Sequence, residues 1–260
     1  MLHYEISGNG KKPLVLLHGF MEDHTIWSDM ESHFSKEFTL IKIDLSGHGK
    51  SENNNAVNSM DFMAEKVKEV IEKLNLNKIN VLGHSMGGYV SLAFAEKFPE
   101  SIESLTLFFS TTLADDEEKK QIRRRSITVI DENFETFVNT SIPNLFSNNE
   151  KDILEGKIEL AKKIAKSTNK EGVKAAQLGM AERPNRTEIL EKLEAKILII
   201  AGKYDNAVKT ENLLKVLPDK TNIKTYVLDC GHCGHWEKPT ICAEIINKEL
   251  LHNLPKKLVF

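Results

Sequence analysis

The pentapeptide Gly83-His84-Ser85-Met86-Gly87 constrains this chain more than any other stretch. Residues 79–82 before it are short and apolar, as in a buried strand, and residues 89–98 after it read as a helix. A Gly-x-Ser-x-Gly turn between strand and helix sets the serine on a tight, strained corner. A Cβ two residues to either side would collide there, which is why both flanks are glycine. Ser85 then projects from the end of the strand. The amide of Met86 opens the helix, where partial positive charge suits a developing oxyanion. Gly88 extends the small-residue run and lets the helix lie close to the sheet.

Such a corner needs parallel strands covered by helices. Residues 13–17, 38–43, 102–109, 196–201 and 223–228 read as strands, several of them apolar on both faces. Residues 2–7 alternate weakly, as an edge strand does. A short helix carries Trp27, Met30 and Phe34. Residues 60–74 form an amphipathic helix whose stripe is Met63, Val67, Val70, Ile71 and Leu74. Helices 209–217 and 241–251 follow later. Strand and helix alternate, which implies a parallel sheet with right-handed crossovers.

The alternation stops between about 114 and 194. That segment has no convincing strand and reads as helices from 115 onward, over 134–139, over 153–165 and over 170–181. Asp115 with Lys119 and Asp116 with Lys120 are expected as i,i+4 pairs, and Arg123-Arg124-Arg125 as a solvated or packing face. The division expected is a core of residues 1–113 and 195–260, and a helical cap of residues 114–194 over the end of the sheet that carries Ser85.

A net charge of -3 and a pI near 6.3 leave no basic footprint, so no nucleic-acid partner is expected. Three cysteines argue against a disulfide framework. The first residues lack a basic and an apolar region, so no signal peptide is expected. No apolar run approaches the roughly 18 residues of a membrane helix. The expectation is a soluble cytoplasmic protein with no membrane partner.

A serine hydroxyl is a weak nucleophile at neutral pH. It needs a base within hydrogen-bond reach, and the base needs an acid to hold its tautomer. Asp205 follows the strand 196–201 and His232 follows the strand 223–228. Parallel strands open both loops on the sheet edge that carries Ser85. His48 lies between two glycines and is a weaker candidate base, while Asp229 is a rival acid close to the histidine in sequence. Cys230, His232, Cys233 and His235 are residue types that bind zinc, but all crowd into one short stretch, unlike the two separated pairs of a structural site. No metal or cofactor is expected. Cys233, beside the histidine, is a candidate reactive thiol.

Taken together, these motifs resemble the α/β-hydrolase superfamily, specifically its small esterase-like members with a helical cap. The resemblance covers nearly the whole chain. It rests on His18-Gly19-Phe20, on Asp44-Leu45-Ser46-Gly47-His48-Gly49-Lys50-Ser51, on the Ser85 pentapeptide with Gly88, on Gly202-Lys203-Tyr204-Asp205, and on Gly231-His232 leading to Glu237-Lys238-Pro239. Arg183-Pro184-Asn185-Arg186 also matches a segment common before the late acid-bearing strand. Ser46 departs from the proline or arginine common there, at a non-catalytic position. The resemblance selects His232, which follows a glycine and precedes Glu-x-Pro, over the other histidines. It implies an α/β-hydrolase fold and a catalytic triad of Ser85, Asp205 and His232, with oxyanion amides from Phe20 and Met86. His18 is expected to brace the oxyanion loop. His18, His84, His235 and Trp236 are candidate pocket-lining residues, with core packing behind His232 slightly favoured for Trp236. The implied activity is cofactor-free hydrolysis of a small-molecule carboxylic ester by a monomer or homodimer. A menaquinone-pathway-like lyase, a thioesterase, a lactonase or a perhydrolase would use the same triad, and a ligand-sensing receptor would use the same fold.

Overall fold

Apolar runs without alternation need cover on both sides, and the sheet receives it. The computed structural model describes residues 1–251; residues 252–260, which the sequence reading assigns to the core, lie outside the described residues. The strands are β1 (Tyr4–Ser7), β2 (Lys12–Leu17), β3 (Phe38–Ile43), β4 (Ile79–His84), β5 (Ile102–Phe108), β6 (Lys196–Gly202) and β7 (Ile223–Leu228). They form one sheet in the order β1-β3-β2-β4-β5-β6-β7. All neighbours pair in parallel except β1, which runs antiparallel to β3 at the edge.

Successive side chains on a strand point to opposite faces. Val15, Leu17, Val81, Leu105, Leu107, Ile197 and Ile199 face one apolar layer. Leu14, Leu16, Leu82, Phe108, Leu198 and Ile200 face the other. The first layer is filled by α2 (Met60–Lys73) and α3 (Met86–Lys97), the second by α1 (Ser28–Glu31) and α10 (Pro239–Leu251). Ser59 starts α2 by accepting the Phe62 amide at its side chain, and the expected stripe of Met63, Val67, Val70 and Ile71 is buried.

Between β5 and β6 the chain runs through α4 (Glu117–Ser141), α5 (Glu155–Ser167), α6 (Lys170–Glu182) and α7 (Thr187–Lys192). The two expected pieces of α4 meet at a break. Asn133 sits at φ -154°, ψ 82°, and its side chain caps the next turn by accepting the Thr136 amide at 2.9 Å. α6 lies on the core backbone to backbone. A Cβ at Gly172 would come 2.1 Å from the Gly47 carbonyl oxygen, and one at Gly179 would come 1.9 Å from that of Asn58. The Asn58 amide donates to the Ala175 carbonyl at 3.0 Å between those two contacts.

The acidic start of α4 pairs only in part as expected: Asp115 pairs with Lys119, but Asp116 does not pair with Lys120. Asp116 caps the helix through the Lys119 amide (2.8 Å), and Lys120 pairs with Glu117 (2.6 Å). Asp115 turns inward to Arg183 at 2.8 Å and to Arg123, with Lys119 at 3.9 Å. Burial raises the Asp115 pKa, but the Arg183 hydrogen bond and the charges of Arg123 and Arg183 override it and leave it lowered. Arg183 also donates to the Met180 and Leu113 carbonyls and lies 3.9 Å over the Tyr89 ring. Arg186 joins Glu96 of α3 and Asp61 of α2 at 2.8 and 2.7 Å. The Arg183–Arg186 motif is therefore an anchor between the helical segment and the sheet layer.

After β6 come α8 (Thr210–Leu214) and, past β7, the short α9 (Gly234–Glu237). Among the described residues no helix is long and apolar enough to cross a membrane.

Candidate active site

The carboxyl ends of β2, β4, β6 and β7 open on one edge of the sheet, where open α/β folds place ligands. Ser85 follows β4 directly, at φ 50° and ψ -113°, and caps α3. A non-glycine residue there is strained. Its surroundings hold it: the Ser85 amide donates to the Phe108 carbonyl at 3.0 Å, and its carbonyl accepts the Ser110 hydroxyl at 2.8 Å. A Cβ at Gly83 would lie 2.2 Å from the Gly87 carbonyl oxygen, the collision expected across the turn. Gly87 is required for another reason, because its Cβ would strike the Leu17 and His18 carbonyl oxygens at 2.3 and 2.6 Å. Gly88 abuts Ser110 in the same way, at 2.2 Å from Oγ.

The Ser85 hydroxyl donates to His232 Nε2 at 2.8 Å, and His232 Nδ1 donates to Asp205 Oδ2 at 2.7 Å. Asp205 Oδ1 accepts the amides of Ala207 and Val208, both at 2.8 Å, so the carboxylate is clamped by its own loop. The three residues are thus one hydrogen-bonded chain, with the histidine and aspartate buried. Asp229 is exposed and pairs with Lys203 at 3.1 Å, away from this chain. His48 is buried. Its pKa falls to about 3, chiefly through burial and then the neighbouring His18, and its Nδ1 bonds the Ser46 carbonyl at 3.2 Å.

The loop that carries His232 is fixed on several sides. Its own amide donates to the Leu145 carbonyl at 2.7 Å. Glu237 accepts the amides of Gly231, Cys233 and Ser147 at 2.8, 3.1 and 3.1 Å. Burial raises the Glu237 pKa despite those three donors.

Met86 is the first residue of α3, where amides have no acceptor within the helix. On the facing loop, the His18 ring donates from Nδ1 to the Gly19 carbonyl (2.7 Å) and accepts the Leu45 amide at Nε2 (2.9 Å), bracing the segment that presents Phe20. Glu22 is a residue that sequence reasoning does not single out. Its Oε2 accepts the Gly19 amide at 2.6 Å and His84 Nδ1 at 2.8 Å. The only available sequence signal was an acid three residues beyond a loop glycine.

A cavity of about 560 Å³ opens over Ser85 and His232. Its apolar wall is Phe20, Ile122, Phe137, Leu145, Met180 and Val208, drawn from both the core and the helical segment. His84 lines it, whereas His18, His235 and Trp236 do not; His235 thereby departs from expectation, while His18 and Trp236 take the bracing and core-packing places also expected of them. His18 is turned into the loop it braces. His235 is buried against the Trp236 and His84 rings, at centroid distances of 4.3 and 4.6 Å. Trp236 stacks on Phe146 at 6.0 Å and 7°, in the core behind His232.

Cys230 and Cys233 are buried, and burial first, then nearby carboxylates, pushes both thiols far up. Cys233 is therefore not the reactive thiol considered from sequence. The set Cys230, His232, Cys233 and His235 does not converge, because both His232 nitrogens face Ser85 and Asp205. Donors of suitable type gather instead at His3, His24 and Asp44, and at Glu22, His84 and His235. In both groups the carboxylate is already bonded to an imidazole, at 2.8–3.0 Å.

Comparison with known proteins agrees with this architecture. The family model described as the alpha/beta hydrolase fold matches residues 12–239. The 2-hydroxy-6-oxononadienedioate/2-hydroxy-6-oxononatrienedioate hydrolase of Escherichia coli K12 is 27% identical over 273 aligned residues, covering 98% of this chain and 91% of that protein. A thermophilic esterase from Thermogutta terrifontis, solved with malate bound, superposes with a TM-score of 0.90 at 32% identity, over 96% of this chain and 93% of that one. The enol-lactonase of Burkholderia xenovorans LB400 shares the fold, with a TM-score of 0.87 at 20% identity, over 96% of each chain.

Proposed function

The chain belongs to the alpha/beta hydrolase family, and from that premise we propose that it is a serine hydrolase cleaving a small carboxylic ester through an acyl-enzyme at Ser85. The observation that carries the reading is the continuous hydrogen-bonded chain from Ser85 through His232 to Asp205, opening into a largely apolar cavity.

In this reading Ser85 Oγ attacks the ester carbonyl while His232 Nε2 takes its proton. Asp205 keeps Nδ1 protonated and stabilises the imidazolium that forms. The tetrahedral oxyanion sits against the amides of Phe20 and Met86, each worth roughly 3–4 kcal/mol where such donors have been removed from other enzymes. His232 then returns the proton to the leaving alcohol. A water then attacks the acyl carbon while giving a proton to the same nitrogen, the acyl–Oγ bond breaks to release the acid, and Ser85 Oγ takes that proton back from His232. The helices between β5 and β6 act as the cap, and Phe137, Leu145 and Met180 bound the acyl group.

The E. coli relative favours a second reading, hydrolysis of a carbon–carbon bond in a dicarboxylate. The wall chemistry weighs against it. Arg123 spends its guanidinium on Asp115 and Gln177, and Lys119 donates to the Ala207 carbonyl at 2.9 Å. The acids Asp116 and Glu118 share the cavity with these cations and with Lys209, and Glu22 there is paired with His84. An uncharged acyl chain suits such a site better than a dianion does.

The test is steady-state hydrolysis of p-nitrophenyl esters of graded acyl length by wild type and Ser85→Ala. Serine-dependent turnover with a preferred chain length is expected. Most of the activity surviving in a folded Ser85→Ala variant would sink the mechanism.

A further inference from the structure

The acyl-transfer reading leaves one buried pair of charges unused. Glu22 and His84 lie beneath the cavity with side chains 8% and 1% exposed. Each ring nitrogen of His84 faces an acceptor: Nδ1 faces Glu22 Oε2 at 2.8 Å, and Nε2 faces the His232 carbonyl oxygen at 3.0 Å. With Glu22 ionised, as its lowered pKa implies, both nitrogens donate, so the ring carries two protons and a positive charge. The same Glu22 oxygen accepts the Gly19 amide at 2.6 Å. Gly19 immediately precedes Phe20, and His84 immediately precedes Ser85. One carboxylate oxygen and one ring therefore tie together the loop after β2, the corner after β4 and the loop after β7.

Packing agrees with this. A Cβ at Gly19 would meet Glu22 Oε2 at 2.7 Å, His84 Nδ1 at 2.9 Å and Ser85 Cβ at 3.2 Å. No side chain fits between the oxyanion loop and the nucleophile.

Resting on the hydrolase reading, we propose that Glu22 and His84 are a positioning pair that sets the Phe20 amide, the Ser85 hydroxyl and the His232 ring in one register. Neither residue touches the reacting atoms. They act through the backbone of Gly19 and His232, which a transition state tolerates only within fractions of an ångström. Removing the Glu22 charge deprives His84 of its second proton, so one of its two bonds is lost. The charged or titratable groups facing His84 are Glu22, His232, His235 and, further off, Asp205. Burial works against the His84 charge, and the Glu22 carboxylate outweighs it, leaving the pKa raised.

The experiment compares wild type, Glu22→Gln, His84→Asn and the double variant, each checked for folding by near-ultraviolet circular dichroism. The readouts are the rate of fluorophosphonate labelling at Ser85 and ester kcat and KM. Each single variant is expected to label and turn over roughly 10–100-fold more slowly, with KM within about threefold. The double variant is expected to be no worse than the slower single, because the pair acts as a unit. Single variants labelling at the wild-type rate, a loss confined to KM, or losses that multiply in the double would overturn the pair. Should the variants fail to fold, ¹⁵N NMR of wild type decides: both His84 ring nitrogens are expected to be protonated at neutral pH, and a bare one overturns the proposal. Wild type that takes no label at Ser85 and cleaves no ester is a distinct result, and it removes the hydrolase reading beneath the proposal.

Discussion

The amide of His232 donates to the carbonyl of Leu145 at 2.7 Å. The end of the helical stretch that walls the cavity is thus bonded to the loop that carries the base. Two more links follow, from the Ser147 amide to Glu237 and from Lys238 to Glu150 at 2.7 Å. Substitutions around residue 145 therefore reach the base through the main chain, and kcat as well as KM is expected to respond to them.

Replacing Asp205 by asparagine leaves a group of the same shape that no longer enforces the productive tautomer of His232. The expected result is a fall in kcat of about 10⁴ with little change in melting temperature. Steady-state kinetics on the preferred ester checks it, and a loss of tenfold or less would contradict the role given to Asp205.

Phe137 fills part of the cavity wall above Ser85. Phe137→Ala is expected to move the preferred acyl length upward, raising kcat/KM for the longest ester tested by roughly tenfold relative to the shortest. The graded p-nitrophenyl series measures this, and an unchanged profile would show that the acyl group lies elsewhere.

Asp115 and Arg183 form a buried ion pair, with side chains 1% and 3% exposed. Asp115→Ala strands the guanidinium and is expected to cost about 3–5 kcal/mol in urea unfolding. The sign with pH also follows. The Asp115 carboxyl is held below its ordinary value of 3.8. Its contribution is in place above that value and is lost as pH falls through the lowered one. Asp115→Asn protein is expected to lose that portion of its acid sensitivity.

The three cysteines are all buried and free, with thiols pushed up by burial. Native protein is expected to react with none of a thiol-exchange dye such as DTNB at pH 8, and denatured protein with all three cysteines. Rapid labelling of Cys233 in the native state would mean that its loop opens.

The strands and the main helices were legible because burial on both faces leaves long apolar runs, and one buried face leaves a stripe. Ser85, Asp205 and His232 could be nominated because parallel strands bring distant loop ends to one edge, so their order along the chain carries spatial information. Glu22 could not. Its importance lies in one oxygen shared between an amide three residues away and a ring 62 residues away, and no periodicity encodes that. His235 misled for a related reason. A loop histidine looks available, yet His235 is packed between rings, whereas His18 braces its loop as expected. Pairing at the start of α4 was legible only in part: Asp115 keeps Lys119 at 3.9 Å, but its shorter bond goes to Arg183, 68 residues away.

The seating of α6 bears on traffic through the cleft. Gly172 and Gly179 press main chain against main chain, so the helix that carries the lining residues Gln177 and Met180 is seated on the core without intervening side chains. The cavity-lining residues that reach solvent include Glu118, Ile122, Asn206 and Lys209, and in the proposed hydrolase reading substrate is expected to enter past them. A foreign helical segment grafted between β5 and β6 is expected to seat on this sheet layer only if it brings its own pair of glycines seven residues apart.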